Sequence, residues 1–262
     1  MIGGGRFGRA FISGLLKSQF SSKNIWASAR SEANLSAIQK MGIRSAENFG
    51  DWISDTTLVL LSVKPAQIKG IIEKLNQMPL SEKTLIISVA AGTSISKIEK
   101  LLTKKCPVIR AMPNSPCTVQ EGVTAICKGS NATKEHLELA RVLFSTLGKC
   151  LEIDEVHFDS VTALSGSGPA YYYLLMEVMI EAGIKEGLTR EQAVDLVAQT
   201  ARGAATMVQN LNRSPTDLKK DVATPGGCTA EALKILEERN VPSIFAEAIS
   251  KATAVAANLG KN

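Results

Sequence analysis

Apolar residues recur along this chain in two different rhythms, and the change between them divides it. Up to about residue 153, short apolar runs of strand length recur at Asn24–Ala29, Leu58–Val63, Thr84–Ala90, Pro107–Met112, Gly122–Cys127 and Cys150–Ile153. Stretches with apolar positions three and four apart separate them, a pattern that predicts parallel strands joined by crossover helices. Leu137, Ala140, Phe144 and Leu147 keep helical spacing up to Gly148, and Ser96 with Glu99 predicts a capped helix start. From about residue 158 the strand rhythm stops. Helical spacing runs from Pro169 to Gly187, restarts at Thr189 with Gln192, again at Ser214–Pro215, and finally at Pro242. The pattern predicts a doubly wound α/β domain over residues 1–154 and an all-helical domain over 155–262, with no internal repeat.

The amino terminus strains that scheme. Gly3, Gly5 and Gly8 have the G-x-G-x-x-G spacing that lets a strand turn tightly into a helix beside a pyrophosphate, as in Rossmann-type folds. Only Met1 and Ile2 precede the glycines, so the first strand is expected to be mostly missing and the natural chain to start upstream.

Composition narrows the function classes. With 262 residues, 45 % of them apolar, the chain can bury a large core. The net charge of +5 is spread thinly. That suits anionic small molecules better than nucleic acid. Cys106, Cys117, Cys127, Cys150 and Cys228 form no C-x-x-C pair, which argues against a metal site or disulfide framework and for a reducing compartment. No apolar run has the length of a membrane span, so a cytoplasmic enzyme is expected.

The candidate chemistry sits at strand ends and one helix start. Where an NAD site places an acidic residue on the ribose, this chain has Ser28, Ala29, Arg30 and Ser31, a set suited to the 2′-phosphate of NADP. Val63–Lys64, Ala91 and Asn114 close three further runs, at the sheet edge where such folds bind ligands. Neither His136 nor His157 belongs to a catalytic constellation. Thr224, Pro225, Gly226 and Gly227 form a turn whose N–H groups could hold a carboxylate at the start of a helix, with the Thr229 hydroxyl beside it. Such a site, without a strong acid, suits an imine already protonated on nitrogen.

Taken in order, "GGGRFG", "VKP", "AAG", "MPN", "LSGSGPAY" and "TPGGCT" closely resemble the pyrroline-5-carboxylate reductases, over essentially the whole chain. The resemblance implies hydride transfer from NADPH, with NADH as a second donor, to the imine carbon of 1-pyrroline-5-carboxylate, giving L-proline. It also implies that the helical domain binds substrate and interlocks in a homodimer, often assembled into a decamer. By motif, Ile2, Gly3, Gly4, Gly5, Arg6, Phe7 and Gly8 would cradle the pyrophosphate. Ser28 and Arg30 would hold the adenosine end, and Val63, Lys64, Ala91 and Asn114 the nicotinamide side. Asp221, where some relatives carry an amide, would also lie toward the cofactor. Glu155, Thr224, Gly226, Gly227 and Cys228 would face substrate, and Thr229 would bond the imine nitrogen as the catalytic hydroxyl.

Two other readings stand beside this one. A β-hydroxyacid dehydrogenase relative would need a catalytic lysine, for which Lys185 is the candidate, and the intact "TPGGCT" argues against it. A cofactor-binding protein without activity would fit an incomplete first strand, but Thr229 and the double glycine are present.

Overall fold

A computed structural model describes residues 1–259. The last three residues of the expected helical domain, 260–262, lie outside the described residues. The chain divides into two compact units, Met1–Pro169 together with the segment from Lys251 on, and Ala170–Ser250.

The first unit is a twisted α/β sheet. Its strands are β1 (Trp26–Ser28), β2 (Arg44–Ala46), β3 (Leu58–Leu61), β4 (Leu85–Ser88), β5 (Val108–Pro113), β6 (Gly122–Lys128) and β7 (Gly148–Glu152). β1 pairs with β2, and β3 through β7 pair in sequence order. Helices α1 (Arg6–Lys17), α2 (Glu32–Gln39), α3 (Ile68–Asn76), α4 (Ile95–Leu101) and α5 (Lys134–Ser145) cover the sheet. Alternation along the central strands fills two cores. Leu60, Leu85, Ile87 and Ile109 meet Phe11, Ile12 and Phe144 on one face, while Val59, Leu61, Ile86 and Val108 meet Ile68, Ile72 and Ile98 on the other.

The six expected strand runs all appear, with three corrections. β6 is antiparallel to β5, because residues 114–121 are too few for a crossover and turn through a tight helical segment at Ser115–Val119. α4 is capped by Ser94, whose hydroxyl accepts the Lys97 N–H at 3.2 Å, and not by Ser96. Glu99 instead accepts from the Ser130 N–H at 2.8 Å. β2 escaped the sequence reading because Arg-Ser-Ala carries no apolar alternation and lies partly in solvent.

Met1–Gly3 supply a stub of the first strand. The Ile2 N–H donates to the Leu60 carbonyl at 2.8 Å and the Gly3 N–H to Ser28 at 2.9 Å, bridging β1 and β3. Below the stub a cavity of about 630 Å³ opens between Met1, Phe11, Ile12, Trp26, Leu58 and Leu60.

The carboxyl-terminal helices follow from their caps. After the short helix α6 (Phe158–Val161), α7 (Gly168–Lys185) starts beside Pro169 and ends before Gly187, whose φ is +98°. α8 (Arg190–Asn210) opens on a reciprocal pair, Thr189 accepting the Gln192 N–H at 3.2 Å and Gln192 the Thr189 N–H at 3.0 Å. Ser214 caps α9 (Pro215–Val222), Gly227 precedes α10 (Cys228–Glu238), and α11 (Val241–Leu259) closes the chain. No described helix is long and apolar enough to cross a membrane.

Candidate functional site

Where the carboxyl ends of β1, β3, β4 and β5 converge, the first unit holds a cleft of about 1230 Å³. Its floor is the glycine loop. Gly3 has φ +108°, and a Cβ there would lie 2.0 Å from the Ser62 carbonyl oxygen, so only glycine fits. A Cβ on Gly8 would lie 2.3 Å from the Gly3 carbonyl oxygen, so this glycine brings α1 tight against the loop and does not itself line the cleft. Gly5 is the N-cap of α1, and no acidic residue occupies the first turn, leaving that helix end receptive to phosphate.

One end of the cleft is lined by Ser28, Arg30, Ser31 and Asn34. Arg30 is exposed and has no ion-pair partner among the described residues. Arg9 organises this end, its guanidinium donating to the Asn34 carboxamide at 2.5 Å and to the Gly4 carbonyl at 3.3 Å. Ser31 caps α2 by accepting the Asn34 N–H at 3.4 Å. The other wall carries Val63, Lys64, Val89, Pro113 and Asn114, and the Asn114 carboxamide oxygen accepts the Val123 N–H at 2.9 Å.

Ile2, Gly3, Gly4, Gly5, Arg6 and Phe7 thus come together with Ser28, Arg30, Val63, Lys64 and Asn114 around one cleft. Ala91 does not line it. Asn34, Glu47, Asn48 and Thr118, which do, were not singled out from sequence. Asn34 had a local signal, a side chain three residues past a helix-capping serine, whereas Glu47 and Asn48 follow the unread strand β2.

Thr224, Gly226, Gly227, Cys228 and Thr229 lie together on the second unit. Gly226 has φ +73°, and the Gly227 N–H donates back to the Thr224 carbonyl at 3.0 Å, closing a tight turn into α10. With Gly227 at the N-cap, Cys228 and Thr229 are the first residues of the helix, where backbone N–H groups lack helical partners. Asp221 pairs with Arg213, and the guanidinium holds its carboxyl below the usual range. Glu155 belongs to the first unit and does not line the cleft. Its carboxylate bonds Arg110 and the Ile95 N–H at 2.9 and 2.8 Å. No cluster of three potential metal ligands occurs among the described residues.

Comparisons with known proteins cover both units. The family model described as pyrroline-5-carboxylate reductase dimerisation matches residues 155–259. One described as NADP oxidoreductase coenzyme F420-dependent matches residues 1–92. A pyrroline-5-carboxylate reductase of Corynebacterium melassecola is 35 % identical, the alignment covering 100 % of this chain and 98 % of its own. One from Methanosarcina acetivorans is 36 % identical over 99 % and 97 %. The solved structure of a pyrroline-5-carboxylate reductase from Coxiella burnetii superposes with a TM-score of 0.93 at 34 % identity, over 100 % and 97 % of the two chains. That of Plasmodium falciparum pyrroline carboxylate reductase with NADP bound gives 0.88 at 28 %, over 99 % and 96 %.

Proposed function

The chain belongs to the pyrroline-5-carboxylate reductase family, and from that premise we propose that it reduces 1-pyrroline-5-carboxylate to L-proline with NADPH as the preferred donor. The observation that carries this reading is the presence, in one chain, of a nucleotide cleft floored by a glycine loop and of an intact Thr224–Thr229 turn.

The first unit's residues fit a dinucleotide. The end of α1 and the N–H groups after Gly3 receive the pyrophosphate, and Arg30 with Ser28 and Ser31 receives the 2′-phosphate. Val63, Lys64, Ala91 and Asn114 stand on the nicotinamide side. Reduced nicotinamide supplies the hydride to the imine carbon. The protein's part is to orient and to hold a proton. Thr224 and the N–H groups of Gly226, Gly227 and Cys228 bind the carboxylate, and the Thr229 hydroxyl bonds the ring nitrogen as its lone pair develops. Asp221, paired with Arg213, stands toward the cofactor at the approach to α10.

The minimal assembly proposed is a homodimer through the helical unit, with a decamer as the larger form that sedimentation tests. A cytoplasmic location accords with five free thiols, three of them buried. The deciding experiment follows NADPH oxidation at 340 nm with pyrroline-5-carboxylate and identifies proline chromatographically. NADPH consumption without proline, or equal use of NADH, would refute the corresponding part.

A further inference from the structure

A charged cluster that lines no part of the cleft is built on β5, whose end does. Arg110, on β5, has a side chain only 7 % exposed, and its one ion-pair partner among the described residues is Glu155 at 2.9 Å. The guanidinium also sits 4.6 Å from the ring centroid of fully buried Phe158. The same Glu155 oxygen accepts the N–H of Ile95, the first residue of α4, at 2.8 Å. One oxygen atom therefore ties together a central strand, a helix start and the segment that leads out of the sheet.

What those elements carry gives the cluster its meaning. β5 continues from Arg110 through Met112 to Asn114, successive positions on one face, and Asn114 lines the cleft. Met112 packs against the outgoing segment so closely that a Cβ on Gly166 would lie 2.7 Å from its terminal methyl. Ile95 directly follows the Ala90–Ser94 turn, in which Gly92 has φ +69°. That turn and the end of β5 are two of the three strand ends assigned above to the nicotinamide side.

We infer that Arg110 and Glu155 are a positioning pair for hydride transfer: through one shared oxygen they fix the Ala90–Ser94 turn against the Met112–Asn114 end of β5. The inference rests on the function proposed above and replaces the substrate contact that the resemblance implied for Glu155. A pair with one partner buried and the other a third exposed adds little net stability compared with apolar residues, so its value lies in fixing geometry. Geometry is what hydride transfer demands, since a misplacement of about 1 Å costs roughly 10²-fold in rate.

The test uses Arg110→Met, Glu155→Gln, Glu155→Leu and the double variant Arg110→Met/Glu155→Leu in the full chain. The two apolar single variants should lower kcat at saturation at least about tenfold, with KM for the imine nearly unchanged and a larger isotope effect from deuterated NADPH. Glu155→Gln, which still accepts from Ile95, should recover part of the loss. The double variant strands no buried charge, so it folds if a single variant does not, and it should be no slower than the singles. In protein without cofactor, amide exchange across residues 90–95 should quicken in both apolar variants. A raised KM with kcat intact would mean that Glu155 binds substrate, and lowered melting with kcat and exchange unchanged would mean a purely structural pair; either overturns the inference. Wild-type protein that binds NADPH without reducing the imine refutes the proposed function instead, and the exchange arm, which needs no turnover, still judges the clamp.

Discussion

The two units are similarly rich in apolar residues and spend them differently. In the sheet unit, alternation and amphipathic helices close two cores, with Phe144, Phe158, Ile12 and Ile86 at or near zero exposure. In the helical unit the only fully buried apolar residue between 170 and 250 is Ala193, while Tyr172, Leu174 and Val178 are 64 %, 57 % and 59 % exposed. α7 carries charge only at Glu177, Glu181 and Lys185, one narrow stripe, and is apolar elsewhere. A helix of that kind is stable when something covers it. The sheet unit makes its own core, whereas the helical unit leaves an apolar face that the homodimer proposed above would cover.

Breaking that cover should have the largest effect. Leu175→Glu with Met179→Glu, exposed at 41 % and 52 %, places two carboxylates on the apolar face away from the charged stripe, and sedimentation should show loss of self-association with activity falling more than about 100-fold. NADPH binding, proposed for the cleft of the sheet unit, should persist. Val142→Glu, an exposed change on α5 at 57 %, should alter nothing beyond about 0.5 kcal/mol. If the α7 variant stays associated, or the α5 variant is the one that dissociates, the comparison fails.

The division should also separate chemistry from cofactor binding. Thr229→Val keeps the shape and removes the hydroxyl, so kcat should fall about 10²-fold while NADPH titrates as in the parent protein. Undiminished turnover would leave the hydroxyl without a role. On the other unit, Arg30→Ala would remove the proposed charge-assisted contact with the 2′-phosphate, about 1.5–3 kcal/mol, so NADPH should bind about tenfold or more weakly with NADH and association unchanged. Equal losses for both cofactors would take Arg30 away from the 2′-phosphate.

The sequence carried these two units unequally. Strand runs such as Leu58–Val63 and Thr84–Ala90 were legible because a strand buried on both faces is apolar without interruption. The cofactor loop was legible because its glycines answer to backbone contacts within a few residues, as between Gly3 and Ser62. The antiparallel turn of β6 was not, since direction depends on the length and shape of a connection rather than on strand composition. Nor was the Arg110–Glu155 tie, whose partners stand 45 residues apart with no local pattern to mark them. In the helical unit, helical spacing and caps placed the helices correctly, yet periodicity cannot say whether an apolar stripe meets its own chain or another.

The smallest expected effect concerns the amino-terminal edge of the sheet unit. The Met1 ammonium donates to the Trp26 carbonyl at 2.6 Å, and burial pulls its pKa from 8.0 down to about 5. Between pH 5 and 8 the unfolded chain binds a proton that the folded chain does not, so stability should rise with pH across that window and level off above it. The full gap corresponds to about 4 kcal/mol, and water entering the adjoining cavity reduces it, so we expect roughly 2 kcal/mol. Alternation along β3 turns Leu58 and Leu60 toward the same cavity, with the Leu60 carbonyl already taken by Ile2. Joining about five apolar residues to the Met1 nitrogen replaces the ammonium by an amide and offers ladder partners to the Leu60 N–H and the Leu58 carbonyl. Melting at pH 6 should then rise by about 5 °C, the slope between pH 5 and 8 should flatten, and NADPH affinity should gain with the steadier Gly3–Gly5 loop. An extended chain that melts no higher, with the pH slope intact, would show that water already satisfies this edge and that the stub at Met1–Gly3 is all the sheet requires.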